Sequence, residues 1–424
     1  MQFNDIFLLL FVFSIGVFCL YRLGNSGFGI TLPSLFVIVA VFVQIIPGVI
    51  LVSLFDAGMS YGVEQNISEV TKRTVFIYTL YSLFFLFLFI IIISYFLKIS
   101  PVIKKTNVND FKFFYLIYFF GVFIICLNIF SAGIPPIYYG LMGEHETAAL
   151  KKALILTSEV GVGGFFIGYI VKFFPYVCFV YVYLCRDSKF ISRYTYYVYL
   201  FFIIIFSIYD LQKYKLAYFI LFYIAVWASY KGISFFRLIV LSSLGFFSLI
   251  IFFVISTNFD FKQAFIATLS RLFIGQTEGL YLIFEALSPD IERITYGLPL
   301  SSFFMPNTAT DPAADVVRIF FPTADESWIN SNTYVLAHAW SIFGDFSILI
   351  APLVVSINLV IYIFFRMIYY RLIGNFSDYI YVVLIFNMPI NNEFSYFFYF
   401  KSIIAFNSIG IIIFLLKKIR ILLS

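Results

Sequence analysis

TVFIYTLYSLFFLFLFIIIISYFL, residues 74–97, contains no charged side chain from Thr74 to Leu97. A helix of about 20 residues rises about 30 Å, the thickness of a bilayer's hydrocarbon core. This run has no polar face to turn toward water, so lipid or other apolar helices must surround it. A helix also satisfies its own backbone donors and acceptors, which lipid demands of any segment crossing it.

The same reading extends along the chain. Apolar runs at 6–21, 29–55, 113–131, 160–185, 194–210, 216–230, 238–257, 344–365, 379–392 and 397–416 give, with 74–97, about eleven expected spans, or ten to twelve because 216–230 and 379–392 are short. The expected fold is all-α: a polytopic helix bundle with one long extracytoplasmic loop of short helices. The expected division is a first bundle over 1–257, a loop over 258–343 and a closing bundle over 344–424.

Composition agrees. Of 424 residues 62% are hydrophobic and 12% charged, where a soluble domain carries about 25% charged residues. Mean hydropathy is +1.01. The 60 Phe and 32 Tyr run through the apolar segments rather than keeping to interface belts. Cys19, Cys126, Cys178 and Cys185 all fall in or beside apolar runs, which argues against a disulfide framework, and no Cys/His spacing suits zinc. A net charge of +5, scattered along the chain, excludes nucleic acid as a partner. The start lacks a positive region before Ile6, so 6–21 reads as an uncleaved first span.

Loop charges set the expected orientation. Arg22, Lys98, Lys104, Lys105, Lys112, Arg186, Lys189, Arg193, Lys231, Arg237, Arg366, Arg371, Lys417, Lys418 and Arg420 fall on one side. Only Asp110, Asp187 and Asp378 join them there as carboxylates. That side is read as cytoplasmic, which places the N-terminus outside and the C-terminus inside.

The chemistry-bearing residues then gather outside. The segment 258–343 is far longer than a connector needs to be, and His145 and His338 both lie on this side. Over 262–287, helical spacing sets Arg271, Glu278 and Glu285 on one face, read either as a stripe facing a substrate cleft or as the wet side of a surface helix. Arg318 sits in an apolar context (316–322) suited to holding phosphate. His338 is read either as a proton carrier or as a side chain that caps or pairs within the loop. Pro306-Asn307 and Asp311-Pro312 mark turns. Lys172, inside an apolar run, either binds an anionic head group or pairs with a carboxylate such as Asp210 or Glu159. Lys401, near the outer end of the last run, reads as functional or as snorkelling to the interface. Gly161, Gly164 and Gly168 fit close helix packing. No phosphate-binding loop, kinase signature, nucleophile elbow or zinc motif occurs, so the substrate is expected to arrive already activated, from the membrane.

Several features together resemble the Wzy-type O-antigen polymerases, also called oligosaccharide repeat-unit polymerases. These are the Phe/Ile-rich spans, Tyr-Lys-Leu-Ala at 214–217 leading into a span, and one dominant late loop. Within that loop Arg271 is followed by Tyr296-Gly297, a Pro-rich stretch, Asn332-Thr333-Tyr334 and Phe343-Gly344-Asp345-Phe346. A paired Arg-to-Gly spacing found in some members is missing. The resemblance implies a bacterial inner-membrane glycosyltransferase that joins undecaprenyl-diphosphate-linked oligosaccharides at the periplasmic face, with no metal and no cofactor. Membrane lipids surround it, and a chain-length regulator is an implied partner. On this basis Arg271, Arg318 and Lys172 would hold diphosphate, His338 or Glu278 would act as base, and Tyr281, Trp328 and Trp340 would stack on sugars. Two other classes compete: a flippase or other transporter, against which no duplicated halves are found, and an O-antigen ligase, which shares the lipid donor.

Overall fold

The structure is a computed structural model that describes residues 3–24, 38–55, 66–97, 114–156, 165–231, 235–257, 259–297, 310–322, 333–385 and 400–423. Every regular element among the described residues is helical. In chain order these are α1 (Phe3–Gly24), a π-helical stretch (Ile38–Ile45) leading into α2 (Ile46–Phe55), α3 (Glu69–Leu97), α4 (Phe114–Ser131), α5 (Pro136–Leu141), α6 (His145–Leu156) and α7 (Phe165–Asp187). There follow α8 (Arg193–Ile208), α9 (Lys213–Lys231), α10 (Phe235–Ser256), α11 (Phe261–Phe273), α12 (Glu278–Ala286), α13 (Ile294–Gly297) and α14 (Pro312–Phe320). The last four are α15 (Val335–Phe343), α16 (Ser347–Ile373), α17 (Phe376–Ile385) and α18 (Phe400–Leu423).

Each apolar run expected to span carries helix over its described residues. Among the described residues, four stretches are long and apolar enough to cross a membrane: Glu69–Phe96, Phe114–Ser131, Ile239–Ser256 and Val335–Ile373. The last bends at Gly344, whose φ of +56° favours a residue without Cβ. Asp5–Tyr21, Ile46–Phe55, Arg193–Ile208, Lys215–Trp227 and Phe376–Ile385 are shorter apolar helices.

Contact groups the chain into two compact units that cut across the expected division at 257 and 343. The first joins Met1–Ser100, Ile266–Ile361 and Met388–Phe400; the second joins Pro101–Phe265, Tyr362–Asn387 and Lys401–Ser424. The reason lies in packing: much of the expected loop folds onto early helices in the first unit. There α1 and α2 pack on α3, and α12 is enclosed by α3, α14 and α15. Glu278 through Phe284 are all buried, leaving α12 little surface to turn toward water.

In the second unit α7 is the axis. Phe173 to Cys185 are buried without interruption, against α4, α8 and α17. Aromatic rings fill this core. Tyr181 meets Phe376 in a tilted contact at 4.9 Å, and Tyr176 meets Tyr218 edge-on at 5.0 Å, contacts that add to the area they bury. Arg366 Nε donates to Asp378 Oδ1 at 2.7 Å, so Asp378 is half of a buried ion pair rather than a loop charge. Gly168 is exposed, with nothing within 4 Å of where a Cβ would stand. Among the described residues nothing packs closely there, and Gly161 and Gly164 lie outside the described residues.

Candidate functional site

The helix expected over 262–287 is two helices, because the backbone turns after Phe273. Ser270 O accepts from both Ile274 N at 2.9 Å and Gly275 N at 2.8 Å, a helix-ending arrangement. Gln276 Nε2 donates to Arg271 O at 3.0 Å, and Thr277 Oγ1 donates to Ile274 O at 3.1 Å. The three residues expected on one face therefore separate. Arg271 is exposed in the last turn of α11, while Glu285 is half-buried in the last turn of α12. Glu278 is buried in the first turn of α12, where a helix N-terminus favours negative charge.

Two side chains fasten α12 to α2 and α3. The Tyr281 hydroxyl lies 2.7 Å from Ser53 Oγ and donates to Val49 O at 3.2 Å, while Ser53 Oγ donates to Lys72 O at 3.0 Å. Burial pushes the Tyr281 hydroxyl above its usual pKa. With its ring wholly buried, Tyr281 is a strut between helices and offers no face to a sugar. The Glu285 carboxylate accepts from Ser68 N at 3.1 Å and Ser68 Oγ at 3.0 Å. Burial pulls its pKa upward, but hydrogen bonds from Thr71 and Ser68 outweigh that and hold it below the usual value.

His338 lies in α15, almost fully buried. Its Nε2 is 3.6 Å from Asp311 Oδ1. Asp311 is the N-cap of α14 and accepts from Ala313 N at 2.9 Å, with Pro312 at the first helical position, where its missing donor costs nothing. One carboxylate thus both caps a helix and stands beside the imidazole. The sequence displayed Asp311 only as a turn marker; nothing local connects it with a histidine so far along the chain.

Arg318 projects from α14 into the open, its Nη1 3.9 Å from Asp315 Oδ1, a spacing too loose to bind it firmly. The half-buried Trp340 stacks on Phe284 at 4.4 Å between centroids. Tyr78 meets the edge of Phe284 at 5.7 Å, and its hydroxyl donates to Asp345. Asp290 N donates to Ser341 O at 2.8 Å, securing the 3-10 turn Ile291–Arg293 to α15. Thr333 and Tyr334 are buried, Tyr334 beside Ser82. Asn332 and Trp328 lie outside the described residues, as does the side chain of Lys401.

The first unit therefore brings the helices carrying Glu278, Arg318, His338 and Trp340 into contact around α12. Lys172 belongs to the second unit, on α7, with its ammonium 5.4 Å from the Phe173 ring centroid. Asp210 acts on it electrostatically, but the ion pair of Asp210 is with Lys215. Glu159, the other expected partner, lies outside the described residues. What α12, α14 and α15 assemble is a carboxylate–imidazole pair, a second buried carboxylate and one exposed guanidinium, suited to proton transfer beside an anionic group. No family model matches this chain, and no curated protein or solved structure is similar to it.

Proposed function

We propose that this protein is a membrane glycosyltransferase that polymerises lipid-diphosphate-linked oligosaccharide units at the outer face of a bacterial inner membrane. In this reading about eleven segments cross the bilayer, with the N-terminus outside and the C-terminus inside. The observation that carries the reading is the His338–Asp311 pair at 3.6 Å, set on two helices that both pack on α12. Chain growth needs a base for the acceptor hydroxyl. An imidazole with a carboxylate 3.6 Å from its Nε2 accepts that proton as the hydroxyl oxygen attacks the anomeric carbon of the donor. The bond from that carbon to the diphosphate breaks, and the diphosphate leaves with the electron pair. Arg271 and Arg318 are exposed cations of the first unit that face such an anion in this reading, Arg318 standing 3.9 Å from Asp315. Trp340, stacked on Phe284, offers a half-buried ring.

The experiment is the lipopolysaccharide gel profile of a strain lacking this protein. Core carrying a single repeat unit is the expected result, because export and ligation survive when polymerisation alone is lost. A full ladder of repeats overturns the proposal. Bare core also overturns it, and turns the assignment toward a flippase or a ligase.

A further inference from the structure

We propose that the short hairpin of α5 and α6 lies in the headgroup layer of the bilayer, with its exposed apolar side chains seated in lipid. The inference goes beyond the polymerase reading and is independent of it, needing only that α4 and α10 cross the membrane.

Neither helix of the hairpin is built to span. α5 covers Pro136–Leu141 and α6 covers His145–Leu156, both well short of the about 20 residues that a crossing takes. Their inner side is fixed by packing within the second unit. Ala148 is buried with Leu211 and Phe252, and Ile137 and Ile255 pack against that cluster. Ile137 N donates to Tyr209 O at 3.1 Å. Gly140 lets α5 approach α10 so closely that a Cβ there would stand 3.0 Å from Ile255 O.

These attachments set the depth of the hairpin. Ile255 lies in the last turn of α10, whose apolar stretch ends at Ser256, and Tyr209 is the residue that ends α8. On the other side, residues 132–135 alone separate the hairpin from Ser131, the last residue of α4. Such a gap reaches at most about 14 Å when fully extended. Here it is shorter still, because Gly133 N turns back to donate to Phe130 O at 3.1 Å. The hairpin is therefore held where α4 and α10 leave the hydrocarbon.

Its other side is apolar and open. Ile134, Tyr138, Leu141, Met142, Leu150 and Leu154 are exposed, Leu141 by 64% and Leu150 by 68%. Tyr138 and Leu141 are three apart and Leu150 and Leu154 four apart, so each pair shares one face of its helix. Apolar patches of this kind mark a contact with a partner or a membrane. Continuity identifies lipid as the occupant. Phe119, Phe123 and Phe130 are exposed along α4, the face that a crossing helix gives to lipid, and that stripe runs through Ile134 to Tyr138. Charge selects no particular headgroup, since Glu144 and Glu146 balance Lys151 and Lys152. Both glutamates are exposed at the turn between the two helices. Apolar contact, not headgroup charge, thus seats the hairpin, and zwitterionic lipid suffices.

The test uses the full-length protein in phosphatidylcholine nanodiscs, with a nitroxide on one introduced cysteine. Cys126 is first replaced by alanine; Cys19, Cys178 and Cys185 are buried. Labels at Tyr138→Cys, Leu141→Cys and Leu150→Cys are expected to collide more often with dissolved oxygen than with a water-soluble nickel chelate. Their depth should be about 5–10 Å into the headgroup–acyl boundary. A label at Glu146→Cys should show the reverse preference, and one at Phe123→Cys should read deeper than the hairpin. Because the positions are read separately, a variant that fails to fold leaves the others to decide. Nickel preference across the hairpin, with Phe123 still in lipid, overturns the inference and leaves the spans standing. Hairpin labels that neither reagent reaches also overturn it, since a second copy or another protein would then cover the patch. A strain that still makes polymer without this protein would refute the proposed function and leave the hairpin's place in the bilayer untouched.

Discussion

Glu285 holds Ser68 by two hydrogen bonds, from the backbone N–H at 3.1 Å and the hydroxyl at 3.0 Å. Ser68 Oγ in turn accepts from Thr71 N at 3.2 Å. The long α3 is thus capped at its start by a serine that a carboxylate of α12 holds in place. The late segment of the chain finishes an early helix.

This cap gives a pH dependence. Glu285 has a pKa below its ordinary 4.5 in the folded state, so its contribution is complete above that ordinary value and disappears as pH falls through the lower folded value. Solvent reaches the site, so the contribution at neutral pH is about 0.5–1 kcal/mol. Melting curves of wild type and Glu285→Gln should differ at pH 7 and converge in acid. Curves that stay equally separated down to pH 3 would refute this.

Gly48 and Gly168 should respond oppositely to alanine. A Cβ at Gly48 would overlap Phe273 O and stand 2.6 Å from Thr277 Oγ1, and a backbone carbonyl cannot step aside. Gly48→Ala should cost about 1–3 kcal/mol. Gly168 has open space around it, so Gly168→Ala should be neutral or gain up to about 1 kcal/mol of helix propensity. Thermal unfolding in detergent separates the two.

Tyr281 should behave as a strut. Tyr281→Phe keeps the buried ring but removes its contacts with Ser53 and the Val49 carbonyl, at a cost of about 1 kcal/mol. Tyr281→Ala should cost about 3–5 kcal/mol through the cavity it leaves. Polymer length distribution in the Phe variant should match wild type; a shift would give the hydroxyl a part in substrate handling.

His338 and Asp311 should separate chemistry from folding. His338→Gln should lower polymer formation about 100-fold or more. Asp311→Asn keeps a helix-capping side chain but removes the charge beside the imidazole. It should lower the rate and move the pH profile with little change in melting temperature, and Asp311→Glu should recover part of the rate. Arg318→Ala, at an exposed position, should change stability by less than about 0.5 kcal/mol. Lost polymer in that variant would therefore report a contact with substrate. Normal polymer would exclude Arg318 from diphosphate binding.

The membrane character and all-helical class were legible because they follow from sums over the chain. An uncharged run such as 74–97 cannot be dissolved in water by any packing its neighbours adopt. The stripe of Arg271, Glu278 and Glu285 was misleading for a related reason. Periodicity assumes an unbroken helix, and Gly275 with Thr277 breaks it, sending Glu278 inward while Arg271 stays exposed. Asp378 likewise looked like a loop charge until Arg366 was placed beside it.

Sequence by itself determined what the solvent is, where helices form and which side chains are able to carry charge. Those depend on composition and on spacing within one turn or one span. The tertiary structure alone decided that Asp311 stands by His338, that Glu285 holds Ser68, and that Arg366 pairs with Asp378. Each of these contacts depends on how separate helices pack, which spacing within one helix or one span does not encode.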